Sequence, residues 1–167
     1  MTFQEVKKQF FALRNGALGD LLRKQCADPH HVIFGLNLPQ LKQVAAMAGK
    51  DAELAAQLWA NPECRESRLL APMVCPDEAA DEQWCRQVRC PEEADVLCHA
   101  LMRHRPDAVR IAAELADLPD ELMHYCALRL MLNVASSWRD EALVLAQRFP
   151  NHPLAIQLRE ELLTEWR

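Results

Sequence analysis

The chain has 167 residues, of which 50% are hydrophobic and 26% are charged, with ten prolines, only four glycines and 6% aromatic residues. This length fits one domain and can bury a continuous core without disulfides or metals. Scarce glycine disfavours a turn-rich β architecture, and the abundance of Leu and Ala favours helices. Composition therefore predicts an all-α protein.

The net charge of −5 argues against a polyanionic partner for the chain as a whole, but the charge is unevenly distributed. Residues 1–50 hold seven Lys or Arg against three Asp or Glu, a local balance of +4, and the rest of the chain carries −9. A basic end of this kind could bind a phosphate backbone, although most of these charges are expected on solvated helix faces.

The seven cysteines form no close C-x-x-C pair, so neither a disulfide framework nor a zinc ribbon is expected. Cys26 lies near His30 and His31, but a loop with two histidines explains this group better than a metal site. No apolar run reaches the length of a membrane span. These patterns predict a reduced cytoplasmic protein with neither a bound metal nor another cofactor, and with no membrane partner.

The N-terminal region is predicted to form helices of varied spacing. Thr2 and Glu5 have the spacing of a capping box, and Asn15-Gly16 is expected to break or bend the first helix. A further helix is expected to start at Pro39 and to end at Gly49.

Five prolines, each followed by an acidic residue, divide the middle of the chain at intervals of 13 to 15 residues: Pro62, Pro76, Pro91, Pro106 and Pro119. Proline suits the first helical position and an acid suits the first turn, so each pair predicts a helix start. Short connections between such helices predict antiparallel hairpins with a repeat near 29 residues. The sequence thus predicts one domain over residues 1–167, an α-α superhelix of the armadillo or HEAT-like type, with basic helices over 1–50 and regular hairpins over 51–167.

The apolar member of each predicted hairpin carries one polar stripe. The stripes are Tyr125, Arg129 and Asn133 after Pro119; Asp95, His99 and Arg103 after Pro91; and Arg65 with Arg68 after Pro62. Parallel stacking of hairpins would place the stripes side by side on a concave surface. A carboxylate held there between guanidinium groups could stabilise a developing cation or orient a water, and the open alternative is an inter-helix salt-bridge network.

Three segments then carry a resemblance: FGLNLPQLKQVA (34–45), LWANPECRESRLLAPMV (58–74) and CPEEADVLCHALM (90–102). In this order they resemble the HEAT-like repeat proteins of DNA alkylation repair, the AlkD-like family, over roughly residues 20–140. The resemblance implies an α-solenoid with a DNA groove, and a monofunctional glycosylase that releases positively charged alkylated purines without flipping the base. It implies that Asp95 matches the family's catalytic aspartate.

The sequence departs from that family at two positions. Pro91 stands where catalytic members have a tryptophan, four residues before the aspartate. In the best alignment with the family, residues 124 to 127 (His-Tyr-Cys-Ala) occupy the region where catalytic members have a pair of arginines. Arg129 takes the place of the family's catalytic arginine only if this helix is shifted along its axis relative to that alignment.

Three function hypotheses follow from the stripes and the resemblance. The first is a diverged DNA-binding or damage-recognising member with weak or no N-glycosylase activity, whose groove contacts duplex DNA through Arg65, Arg68, His99, Arg103, Tyr125 and Arg129, with Asp95 at the lesion. The second is a non-catalytic scaffold that binds a protein or peptide in its concave groove. The third is an active glycosylase with a rearranged site.

Overall fold

The computed structural model describes residues 1–25 and 29–164 and divides into two compact units, residues 1–80 and 81–167. The described residues form helices and two 3-10 turns, with one isolated parallel bridge between Val32 and Cys64. The all-α prediction is confirmed. None of these helices is long and apolar enough to cross a membrane. The prediction of a single domain stays a prediction.

The described residues of the first unit form five α-helices: α1 (Phe3–Leu13), α2 (Gly16–Gln25), α3 (Leu38–Ala48), α4 (Ala52–Trp59) and α5 (Arg65–Val74). The capping box of Thr2 and Glu5 is confirmed. The first helix ends before Asn15, and α2 begins directly after it, so the predicted break is also present. Helix α5 packs against α3 and α4, and nine of its ten residues are buried. It is the central element of this unit.

The buried carboxylate of Glu66 on α5 organises the turn that precedes α3. Its two oxygens accept backbone N–H bonds from Phe34, Gly35 and Leu36 at 2.9 to 3.2 Å. The Arg65 Nη1 lies 2.9 Å from Glu66 Oε1 and neutralises its charge. The segments 34–45 and 58–74, which were noticed separately in the sequence, are therefore two parts of one packing unit.

Gly35 occupies a position in this turn that only glycine fits. Its φ is +81°, and a Cβ built there would lie 2.1 Å from the backbone oxygen of Asn15. Replacing Gly35 by alanine is expected to lower the free energy of unfolding by about 2 to 6 kcal/mol, because a steric overlap of about 1 to 3 kcal/mol adds to a backbone strain of about 1 to 3 kcal/mol. Urea unfolding monitored by circular dichroism measures this loss.

Gly49 provides the matched control for this substitution. Its φ is +71°, but a Cβ there would meet no atom within 4 Å. With ψ at −171° this backbone lies in a region that essentially only glycine adopts, so Gly49→Ala should cost only a backbone strain of about 1 to 3 kcal/mol, without an added steric overlap. Equal losses at the two glycines would contradict the role given to the Asn15 contact.

Up to residue 164, where the description of the chain ends, the second unit forms six α-helices: α6 (Gln83–Gln87), α7 (Pro91–Ala100), α8 (Ala108–Ala116), α9 (Glu121–Val134), α10 (Arg139–Arg148) and α11 (Pro153–Thr164). Helix α9 lies at its centre and contacts each of the other five. Most of its apolar residues, which surround the helix on most sides, are buried by these neighbours.

The proline-acid pairs predict helix starts with mixed success. Helix α7 begins at Pro91, and Asp120 caps α9 by accepting from the N–H groups of Leu122 and Met123. Helix α8 begins at Ala108, with Asp107 at the N-cap position. Helix α5 begins only at Arg65, because residues 63 and 65 first bond to the backbone of Val32.

The prediction that an α-helix starts at Pro76 is wrong. Residues Asp77–Ala79 form a 3-10 turn, the chain extends at Ala80, and α6 covers only Gln83–Gln87. The Asp81 side chain accepts from the Gln83 N–H at 2.9 Å and so starts a new turn. Short polar side chains compete with a continuing helix in this way.

The cysteines behave as small apolar residues in the described part of the chain. Cys64, Cys75, Cys85, Cys98 and Cys126 are buried, and Cys90 is partly buried. The hydrogen bond to Cys126, together with burial, raises the pKa of Cys85 and keeps it a thiol. Cys26, which the sequence associated with His30 and His31, lies outside the described residues.

Candidate functional site

Two of the predicted polar stripes face each other in the second unit, where α7 packs against α9. Tyr125 Oη donates a hydrogen bond to Asp95 Oδ1 at 2.6 Å. Arg129 Nε lies 2.8 Å from the same oxygen. We call Asp95, Tyr125 and Arg129 the Asp95 cluster. All three were candidate residues in the sequence, and the fold brings them together.

Arg129 contacts both of its partners in the cluster. Its Nη2 donates to Tyr125 Oη at 3.2 Å, and its guanidinium carbon lies 5.7 Å from the centre of the Tyr125 ring. Nε makes no aligned hydrogen bond, so its contact with Asp95 is an ion pair. Because Tyr125 and Arg129 lie one turn apart on α9, the helix itself sets their spacing.

The carboxylate of Asp95 remains open to solvent. Its side chain is 41% exposed, against 27% for Arg129. The cluster is thus a positioned anion at the surface rather than a buried salt bridge. A fixed carboxylate of this kind can stabilise a positive charge that develops nearby or can orient a water molecule.

The surroundings keep the two partners of Asp95 in defined protonation states. Burial raises the pKa of Tyr125, and its hydrogen bond to Asp95 raises it further. Burial alone would lower the pKa of Arg129, but the hydrogen bond to Tyr125 and the charge of Asp95 raise it. Asp95 therefore lies between a neutral hydroxyl donor and a permanent cation.

A spectroscopic titration tests this contact directly, because Tyr125 is the chain's single tyrosine. In the wild-type protein the phenol should ionise above its ordinary pKa of about 10. The Asp95→Asn change removes the negative charge that opposes ionisation, so the pKa should fall toward that ordinary value. Ultraviolet absorbance of the phenolate during a pH titration measures both values, and an unchanged titration would contradict the contact.

A second polar contact joins the helices one turn further along. His99 Nδ1 lies 3.0 Å from Asn133 Oδ1, and Asn133 Nδ2 donates to the backbone oxygen of Arg129 at 2.9 Å. His99 is exposed, as expected for a groove residue. Asn133 was not a candidate site residue, although its spacing from Tyr125 and Arg129 already indicated that it lies on the same face of α9.

Arg103 does not share a helical face with Asp95 and His99. Helix α7 ends at Ala100, and Arg103 lies on the following 3-10 turn, Met102–His104. The backbone leaves the helical conformation at Leu101, where φ is −134° and ψ is −58°, and Leu101 and Met102 are both fully buried. Arg103 is exposed, and its Nε donates to His104 Nε2 at 3.2 Å.

Arg65 and Arg68 are buried rather than placed at the edge of a groove. Each is 4% exposed. Arg65 donates to the Leu36 oxygen and to Glu66, while Arg68 donates to the Trp59 oxygen and stacks on the Trp59 ring at 3.5 Å. Both guanidinium groups bond to acceptors inside the first unit. The prediction that these two residues contact DNA phosphates is therefore wrong.

The comparisons with known proteins add one family. The family model described as DNA alkylation repair enzyme matches residues 7–153, which include every helix from α2 to α10. No curated protein and no solved structure matches the chain.

Proposed function

Because the chain belongs to the DNA alkylation repair enzyme family, we propose that it recognises alkylated bases in duplex DNA and acts on them through Asp95. Membership gives a DNA repair-related function. The proposed specific activity is slow hydrolysis of the N-glycosidic bond of a positively charged alkylated purine by a diverged member of the family.

The observation that carries this proposal is the geometry of the Asp95 cluster. Asp95 is the residue that the resemblance assigns to catalysis, and its carboxylate is both partly exposed and fixed by Tyr125 and Arg129. The register of the resemblance had left Arg129 one turn away from the family's arginine position. Its 2.8 Å ion pair with Asp95 supports the offset register, in which Arg129 takes the place of that arginine.

The chemistry needs little more than a placed carboxylate. When the bond between C1′ and the purine nitrogen breaks, its electron pair neutralises the cationic base, which leaves without an added proton. Positive charge then develops on the sugar, where the carboxylate of Asp95 stabilises it. A water attacks C1′ and loses its proton to solvent or to Asp95, giving an abasic site. Tyr125 and Arg129 hold the carboxylate in place.

Pro91 supports a slow rather than an efficient enzyme. It is the first residue of α7, the place where the resemblance expects a tryptophan, and it is exposed. A proline ring offers no aromatic face to a cationic base and so lacks the attraction that a tryptophan supplies there. We expect this loss to reduce binding of the damaged nucleotide.

Excision from alkylated DNA tests the proposal. Duplex DNA treated with a methylating agent is incubated with the protein, and released 7-methylguanine and 3-methyladenine are quantified by chromatography. We expect slow release above a protein-free control, and tighter binding of methylated than of undamaged duplex, with affinity that falls steeply with salt. Failure to release either base and to prefer methylated DNA would contradict the proposed function.

The second candidate function is a non-catalytic scaffold, and the exposed proline at position 91 is the observation that favours it. A scaffold would bind a protein or peptide and would not distinguish methylated from undamaged DNA. The same binding assay separates the two functions, because only the repair function predicts a preference for methylated duplex.

A further inference from the structure

A groove between α8 and α10 of the second unit has no role in the proposed function. Its volume is about 320 Å³. The walls are apolar, with Val109 and Ala113 on α8 and Val144 and Leu145 on α10, and α9 contributes Met131. Val144 is 62% exposed, although it is a large apolar side chain. An exposed apolar groove of this kind is typical of a surface that binds another molecule.

Two carboxylates lie at one end of this groove. Asp140 and Glu141 occupy the first turn of α10 and belong to the lining. Both side chains are exposed, and neither forms an ion pair with another described residue. Arg148 lines the other end, but its charge is paired with Asp117 at 2.8 Å. The groove therefore combines an apolar surface with a net negative charge.

The exposed face of α1 in the first unit has the complementary composition. Lys7, Lys8 and Phe11 share this face because they lie three or four residues apart, and Phe11 is 58% exposed. The guanidinium carbon of Arg14, which directly follows the helix, lies 3.8 Å from the centre of the Phe11 ring. We call these four residues the basic face of α1. It presents one aromatic side chain among three cations.

We infer that the groove between α8 and α10 of one chain binds the basic face of α1 of a second copy of this chain. The Phe11 ring fits the groove, because a cavity of about 150 Å³ holds benzene and the groove has about 320 Å³. Lys7 and Lys8 then lie close to the two carboxylates of the groove. Apolar burial and opposite charges both favour this contact, which involves no residue of the Asp95 cluster and does not depend on the proposed function.

The charge distribution favours a contact between unlike surfaces of the two copies. Residues 1–50 carry +4 and the rest of the chain carries −9. A contact between two identical surfaces would bring like charges together, whereas the basic face and the acidic groove attract each other. Each chain carries one face and one groove, so the contact is heterologous and can join more than two chains.

Sedimentation equilibrium of the full-length chain, at micromolar to millimolar concentration, tests for this association. We expect the average mass to rise with protein concentration, and the rise to become smaller as salt is added, because the charged groups are exposed. The double change Asp140→Asn with Glu141→Gln keeps the shape of the groove. It should weaken the association and remove most of its salt dependence.

Matched variants locate the two surfaces. Phe11→Ser removes the aromatic side chain, and Val144→Lys puts a cation into the groove. Each should raise the Kd of association about 30-fold or more. The same replacements outside both surfaces, Met47→Ser and Ile156→Lys, should leave the Kd unchanged. All four side chains are exposed, so none of these changes empties the core.

An equimolar mixture of Phe11→Ser and Val144→Lys chains tests the pairing itself. The first variant keeps an intact groove, and the second keeps an intact basic face. The mixture should form one-to-one dimers that do not extend, although each variant alone associates only weakly. A mixture no more associated than its components would overturn the inference. A wild-type chain that stays monomeric would also overturn it, and would leave the groove to a different protein with basic and aromatic residues.

Discussion

Replacing Asp95 by asparagine is expected to slow the release of methylated purines by about 100-fold or more, without unfolding the protein. Asparagine has nearly the same shape as aspartate but no charge, so it cannot stabilise the positive sugar that forms as the glycosidic bond breaks. Arg129, which loses its ion-pair partner in this variant, is 27% exposed and keeps its hydrogen bond to Tyr125, so the change does not leave a fully buried unpaired charge. Single-turnover release from methylated duplex DNA, followed by chromatography, measures the rate.

Asp117→Asn is the matched control for this prediction. Asp117 also belongs to the second unit and also pairs with an arginine, Arg148, at 2.8 Å. Its side chain is 70% exposed, and it is not part of the Asp95 cluster. The control variant should release base at the wild-type rate. An Asp95→Asn protein that is as active as the control would refute the role given to Asp95.

Replacing Glu66 by alanine is expected to lower the free energy of unfolding by at least about 4 kcal/mol. The change removes the acceptor of three backbone N–H groups and leaves the 4% exposed Arg65 without its carboxylate partner. Both losses occur where water cannot replace the lost contact. Chemical unfolding of the purified variant measures the change, and a protein that is insoluble at expression is the extreme form of the same result.

Glu63→Ala serves as the control at a nearby exposed position. The Glu63 side chain is 48% exposed and contacts the largely exposed His31 at 3.1 Å. Exposed pairs of this kind contribute less than about 1 kcal/mol. A loss at Glu66 no greater than the loss at Glu63 would show that the carboxylate does not hold the turn at residues 34–36.

The helix starts that could be predicted from the sequence are those set by residues close to the start itself. In the Thr2–Glu5 capping box the side chains bond to backbone groups three residues away, and Pro91 starts α7 because proline suits the first helical position. Pro76 has the same signature but starts no α-helix, since Asp81 five residues later begins a competing turn. A single proline-acid pair does not fix the length of the helix that follows.

The contact between the polar stripes of α7 and α9 could be predicted from the sequence, whereas the burial of Arg65 and Arg68 could not. Helical spacing placed Asp95 on one stripe and Tyr125 with Arg129 on another, and both stripes belong to helices that are otherwise apolar. Arg65 and Arg68 gave the same signal on α5. Their partners are the oxygens of Leu36 and Trp59 and the carboxylate of Glu66, and the first of these contacts spans 29 residues. Such a long-range partner leaves no periodic signal in the sequence.

The most direct test of the account is a double-mutant cycle of Asp95→Asn and Arg129→Met on the single-turnover rate of base release. If Arg129 acts by holding Asp95, its removal slows the wild-type protein but adds little to the loss already caused by Asp95→Asn. The account predicts that the double variant is as slow as Asp95→Asn alone. Losses that multiply, or a wild-type protein that releases no methylated base, would contradict it.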